Sequence, residues 1–555
     1  MATERADDGR ADDGRADMHS WARPHEVRVR HMTLQLHVVF AAQAIEGDVV
    51  LELDRIDRRA PLVLDTRDLA IEDVRISDAS ESWQPARWSL GATDRLLGTA
   101  LEIGLAADTT RVRVRYRTGE HASGLQWLAP GQTADGVQPF LYSQSQAIHA
   151  RSWLPCQDSP GVRTTYDAKV TVDRPVRALM AAEVVPAEEG VHRFRMREPI
   201  PAYLVALAVG HVEFAEIGPR TGVWAEPSVL ASAKAEFADM DAMLVEIERL
   251  YGPYRWGRYD VLVLPPAFPF GGMENPRLTF ATPTIIAGDR SLVSLVAHEL
   301  AHSWSGNLVT NATWEDLWLN EGFTVYIERR ILEVLYGRER ADMEAVLGRQ
   351  DLEEALGELA PEDQRLRLQL RGRDPDDALS DVPYEKGALL LRALEETYGR
   401  AAFDPFVIAW FERHAFGSVT TEQFEEFLAT ELLAHHPPLA GRKPVDLKAW
   451  LDDAGVPADA PVPHAAAFDR VDAAAAGFVA GKLAIGDLAT STWTTQEWLH
   501  FLRKLPRELP DARLADLDRR FALTKSENQE ILAQWLEVCV LHGYGHADAR
   551  LEVFL

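Results

Sequence analysis

His298 and His302 lie four residues apart, Glu299 directly follows the first, and Glu321 comes nineteen residues after the second. On a helix, positions i and i+4 sit one above the other, so both imidazoles project from one face. Glu321 falls in a second helix-like run, LWLNEGFTVYIERRILEVLYG. Two imidazoles and one carboxylate are the ligand set of an open catalytic zinc site with water in the fourth position. Glu299 points off the ligand face and is placed as general base for that water, whose pKa zinc lowers to about 7. The plain alternative is coincidence: with 17 histidines, a bare H-E-x-x-H arises in roughly one such chain in twenty-five. The downstream glutamate, its N-E-G context and the apolar face of Leu292, Leu295, Val296 and Leu300 weigh against it. Asp289 is expected to cap the helix start. The expected cofactor is one zinc ion on His298, His302 and Glu321.

The elements that must hold these residues belong to a multidomain α+β chain, because 555 residues exceed a single core. Residues 1–20 carry a tandem repeat, ADDGRADDGR, and are expected to be a disordered acidic tail. Residues 21–215 alternate with period two: Leu34, Leu36, Val38 and Phe40, then Val49, Leu51 and Leu53, then RVRVRYR at 111–117. That pattern predicts an N-terminal antiparallel β domain with one solvated face. From 216 to 440 the pattern turns helical. ASAKAEFADMDAMLVEIERLYG reads as one helix ending at Gly252, and a short strand follows at 259–264. Residues 441–463 are Pro/Ala-rich and linker-like, and 464–555 read as a C-terminal all-α helical domain.

The formal charge of −28 argues against nucleic acid as a partner, because its phosphates would be repelled. It either favours cationic substrates or simply keeps the surface soluble. No apolar run approaches the eighteen or so residues of a membrane span, and the N-terminus lacks a basic start followed by an apolar stretch. Cys156 and Cys539 form no disulfide framework; two free thiols in a reducing cytoplasm is the simpler reading.

Other segments extend the pattern: Gly271-Gly272-Met273-Glu274-Asn275 upstream, Val382-Pro383-Tyr384-Glu385-Lys386-Gly387 downstream, and Gln144-Ser145-Gln146-Ala147-Ile148-His149 far upstream. With H-E-L-A-H and N-E-G, these resemble the gluzincin metalloaminopeptidases of the aminopeptidase N superfamily, nearest to the leukotriene A4 hydrolase-like branch and its bacterial aminopeptidase relatives. The resemblance runs from about residue 26 to near the end. It implies a thermolysin-like α/β zinc catalytic domain and an aminopeptidase that hydrolyses the N-terminal residue from peptides. It implies that Tyr384 stabilises the transition state, and that Glu274 and Gln146 hold the substrate's free α-ammonium. Gln144 and Asp376 belong to the implied peptide-binding groove, although Asp376 also reads as a turn aspartate beside a proline. Gly271 and Gly272 suit close approach of a peptide backbone. The expected partners are peptides with a free N-terminus, and the expected state is a cytoplasmic monomer.

Three departures bear on a second activity that the resemblance raises, epoxide hydrolysis on a lipid. Phe270 and Leu379 stand where tyrosines are expected, and the chain stops at 555, before an expected basic pair that would hold a substrate carboxylate. For the histidines' outer nitrogens, Glu328 and Asp316 are both near in sequence, and spacing does not choose between them.

Overall fold

The computed structural model describes residues 17–78, 82–172 and 176–555. The expected disordered repeat up to residue 16 lies outside the described residues. Asp17, His19 and Ser20, assigned to the same tail, are instead buried. His19 Nε2 lies 3.2 Å and 3.1 Å from the Leu370 and Arg373 carbonyl oxygens, and the Ser20 hydroxyl donates to Asp65 at 2.6 Å. The fold supplies partners for His19 Nε2 and the Ser20 hydroxyl, which holds the segment against residues far along the chain.

Strands Val27–Val39, Ala44–Arg55, Ala70–Ser77, Arg111–Arg117, Arg163–Val172 and Val191–Pro201 make the body of an eight-stranded sheet. Alternation sets its inner face: Val112, Val114 and Tyr116 are buried, as are Leu34, Leu36 and Val38. The first strand ends at Val39, so Phe40 turns into a short 3₁₀ segment instead of continuing the alternation. One pairing departs from the antiparallel expectation. Val27–Val39 runs parallel to Arg163–Val172, with Leu36 opposite Val170. The two strands are joined by a long intervening stretch of chain, which a parallel neighbour requires.

The next unit is a five-stranded sheet with helices against it. Thr221–Ala225, Tyr259–Val263 and Leu278–Ala281 run parallel, and Gly272–Met273 closes one edge antiparallel. The single helix expected before Gly252 is two, α1 (Pro227–Glu236) and α2 (Met240–Tyr251); Gly252 ends the second with φ of 96°. α3 (Val293–Ala301) carries His298 and has His302 at its C-cap, α4 (Trp318–Tyr336) carries Glu321, and α5 (Arg338–Glu358) and α6 (Gly387–Tyr398) pack against α4. Asp289 does not cap α3. Its Oδ1 accepts the Ser291 N–H at 2.9 Å in the preceding turn, and Leu292 holds the cap position with no side-chain bond.

The stretch 441–463, expected as a linker, contains a short helix, Leu447–Leu451, whose Trp450 and Leu451 are buried. Beyond it, helices including Thr495–Arg503 and Gln529–His542 surround a second core built on Phe478, Phe501 and Trp535. Thr494 and Glu497 form a reciprocal capping box on the first of these. This unit grips the loop ahead of α3: Gln496 Nε2 donates to Ser291 O at 3.1 Å, and Asn528 Nδ2 to Ser291 Oγ at 3.3 Å. Cys156 and Cys539 are free, buried thiols. Among the described residues no helix is long and apolar enough to cross a membrane.

Candidate active site

α3 brings His298 and His302 to one face, and the first turn of α4 brings Glu321 to them. His298 Nε2 and His302 Nε2 are 3.2 Å apart, and Glu321 Oε2 lies 3.6 Å from the first and 3.4 Å from the second. Ligands about 2.0–2.2 Å from a tetrahedral centre are separated by roughly 3.3–3.6 Å, so the three donors fit one zinc ion. Glu321 Oε2 is buried with no hydrogen-bond partner, an arrangement a cation would complete.

The rings are fixed from behind. His298 Nδ1 meets Glu328 Oε2 at 3.1 Å. His302 Nδ1 lies 3.0 Å from both Ser305 O and Asn320 Oδ1. Donation to these acceptors leaves each Nε2 lone pair free for a metal, the usual outer support of a histidine ligand. Between the two acids that spacing left open, geometry selects Glu328. Asp316 accepts from the Thr421 N–H and hydroxyl, at 2.8 Å and 2.7 Å, and serves the fold. Glu328 stands seven residues after Glu321, hence on the same helix face; that signal was present in the sequence.

Glu299 is buried beside the donor set. Burial pushes its carboxyl well above the ordinary range, and the neighbouring Glu274 and Glu321 push the same way. Burial likewise raises Glu274 and the Tyr384 phenol. Gly272 is required here for a reason other than substrate approach alone. A Cβ on it would collide with the Glu299 carboxyl, so its missing side chain is the space the base occupies. Gly271 faces Leu295, whose Cδ1 would lie 3.2 Å from an added Cβ.

A cleft of about 510 Å³ opens over this cluster, and Gln146, Phe270, Gly271, Gly272, Glu274 and Tyr384 are among its walls. Tyr384 sits in a π-helical turn, Val382–Lys386, its ring stacked near His298 with centroids 6.2 Å apart. Glu274 Oε1 and Gln146 Nε2 are both buried without partners. They reach the same cleft from the catalytic sheet's edge and from the N-terminal domain. Leu379 also lines it. Two residues assigned to the groove do not line it. Gln144 has a buried, unpartnered Oε1 and is not among the residues that line the cleft. Asp376 is engaged with the N-terminal domain through Ala147 N–H and His149.

The glycines of the two helix motifs were readable as motif members but not by purpose. Gly322 on α4 and Gly387 on α6 meet backbone to backbone, so that a Cβ on Gly322 would lie 2.7 Å from Gly387 Cα. Their contact is what lets Glu321 and Tyr384, each a few residues away, share one cleft.

Two imidazoles, a carboxylate placed to join them on a metal and a second buried carboxylate beside them define the class: a metallohydrolase. Comparison with known proteins narrows this. The peptidase family M1 domain matches residues 238–440, the peptidase M1 N-terminal domain residues 28–204, and the leukotriene A4 hydrolase C-terminal domain residues 493–555. The chain belongs to peptidase family M1. It is 40% identical to a leukotriene A-4 hydrolase of Xenopus laevis over 95% of this chain and 89% of that one. It is 38% identical to a leucine aminopeptidase 2 of Yarrowia lipolytica over 92% and 81% respectively. The solved structure of yeast LTA4 hydrolase in complex with bestatin superposes with a TM-score of 0.86 at 33% identity, covering 95% of this chain and 88% of that one. The three-part architecture and the metallopeptidase class expected from the motifs are therefore those of the family.

Proposed function

We propose that the protein is a zinc aminopeptidase that removes the N-terminal residue from peptides. The observation that carries this is Glu274 Oε1, a buried carboxylate oxygen without a hydrogen-bond partner in the cleft beside the candidate metal triad, with the Gln146 side chain on the same cleft wall. An unpartnered carboxylate oxygen there accepts from a free α-ammonium and penalises a blocked chain, which would leave it unpaired. A zinc ion on His298, His302 and Glu321 would supply positive charge to polarise the scissile carbonyl and acidify water. Glu299 then takes a proton from the attacking water and returns it to the departing amine. The Tyr384 hydroxyl donates to the oxygen that gains charge. The protein so proposed is a cytoplasmic monomer with one zinc ion, acting on peptides with a free N-terminus.

Release of nitroaniline from a panel of aminoacyl-nitroanilides tests it. Activity should vanish with chelator, return with zinc, and be absent on N-acetylated substrates. Equal cleavage of acetylated substrates would refute it. Epoxide opening is the second reading, prompted by the Xenopus relative's name. Phe270 and Leu379 give the cleft apolar walls where hydroxyls were expected, and this disfavours it. Enzymatic diol formed from a lipid epoxide would reinstate it.

A further inference from the structure

Asp376 precedes Tyr384 by eight residues, yet both its carboxylate oxygens are taken by the N-terminal domain. Oδ1 accepts the Ala147 N–H at 3.1 Å, and Oδ2 lies 3.1 Å from His149 Nε2. On the other side of the ring, His149 Nδ1 lies 3.1 Å from Arg67 Nη1 and 2.8 Å from Ser123 Oγ. A guanidinium can only donate, so Nδ1 must accept, and the ring proton sits on Nε2 and points at Asp376. Arg67 is itself tied down, its Nη2 donating to Leu96 O at 2.5 Å and its backbone N–H to Arg151 O at 2.9 Å. Donors and acceptors thus alternate without conflict from Arg67 through His149 to Asp376.

The string ends on the amide of Ala147, the residue bonded directly to Gln146. Ala147 and Ile148 are buried, while the Gln146 side chain enters the cleft. The rest of this loop is closed on its own domain: the Gln144 N–H donates to Gly124 O and the His149 N–H to Ser145 O, each at 2.9 Å. Asp376 is therefore a tie between the loop bearing Gln146 and the catalytic segment that leads to Tyr384. We infer that Arg67, His149 and Asp376 are positioning residues that fix Gln146 over the cleft, so that Asp376 acts on the substrate's first residue through Gln146 and not by touching it. The inference rests on the reading of Gln146 as a holder of the substrate amine.

A double-mutant cycle on the zinc-loaded, full-length protein separates the two claims, with KM and kcat measured on one aminoacyl-nitroanilide. Gln146→Ala alone should raise KM roughly tenfold or more, since a displaced or missing substrate contact costs up to about a hundredfold. His149→Ala should raise KM by a similar factor with a smaller change in kcat. In the Gln146→Ala background it should add less than about twofold. His149→Gln, which keeps an N–H donor toward Asp376, should stay within about threefold of the wild type. Asp376→Asn gives the same cycle if His149→Ala does not fold, because it keeps one acceptor for Ala147 and loses the one for Nε2–H. Factors that multiply in full across the cycle would overturn the inference. So would a His149→Ala protein of lowered melting temperature and unchanged KM. A Gln146→Ala protein with wild-type KM would remove the amine-holding role of Gln146 and the string's purpose together, an outcome distinct from full additivity.

Discussion

Replacing Gly322 by alanine sets two magnitudes of opposite sign against each other. Gly322 lies inside α4, where an alanine normally gains about 1 kcal/mol of helix propensity over glycine. The added Cβ, however, would lie 2.7 Å from Gly387 Cα, 2.9 Å from its carbonyl carbon and 3.2 Å from Pro383 O. Carbon atoms pack best at about 3.5–4.0 Å, so the two segments must part by roughly 1 Å. All three obstructing atoms are backbone, and no rotamer change relieves them. Overpacking of this kind costs about 1–3 kcal/mol, which cancels or exceeds the propensity gain. The chemistry should suffer more. Gly322 adjoins Glu321, and Gly387 follows the turn that holds Tyr384, so parting them misplaces both by a distance that costs about a hundredfold in kcat/KM. Thermal unfolding, zinc stoichiometry and kcat/KM on a nitroanilide give the three readouts. Gly357→Ala is the control: it sits in α5 with nothing within 4 Å of an added Cβ, and should be neutral or mildly stabilising with full activity. A Gly322→Ala protein about 1 kcal/mol more stable than wild type, with unchanged kcat/KM, would refute the close-packing argument.

Glu299→Gln keeps the shape of the base without its proton affinity. Zinc content should stay near one per chain while kcat falls about 10²- to 10⁴-fold, and wild-type turnover would sink the assignment. Glu328→Ala removes the acceptor 3.1 Å from His298 Nδ1 and should weaken zinc binding about 10- to 100-fold in a competition titration with a chelator. Lys386 gives a pH-dependent stability signature. Burial lowers its ammonium from the ordinary 10.5 to about 8, while Nζ donates to Gln364 O and Asp453 O at 2.8 Å each. Between those two values the unfolded chain binds the proton and the folded chain does not, so stability rises with pH across the window. Relative to Lys386→Met, the wild type should gain about 2–3 kcal/mol between pH 7.5 and pH 10; a constant difference in denaturation midpoints would contradict it.

What spacing alone determined was local. Helical periodicity placed His298 beside His302, and the downstream N-E-G located the third donor; these need only one turn of α3 and the start of α4. Alternation likewise marked the buried faces of the N-terminal strands, since a pleated strand repeats every two residues. Where a non-local neighbour intervened, the local reading gave way. The strand Val27–Val39 took a parallel partner from far along the chain, and Asp289 served the turn at Ser291 instead of capping α3. The fit of the cleft was decided by packing. Gln146 and Glu274 come together from separate sheets, Gly272 leaves room for the Glu299 carboxyl, Gly322 meets Gly387, and Asp376 turns to Ala147 and His149. Sequence fixes which backbone dihedrals and faces repeat within a few residues. Which distant backbone can approach, and which buried donor finds which acceptor, depends on how whole elements close-pack, and that is settled only when the chain has folded.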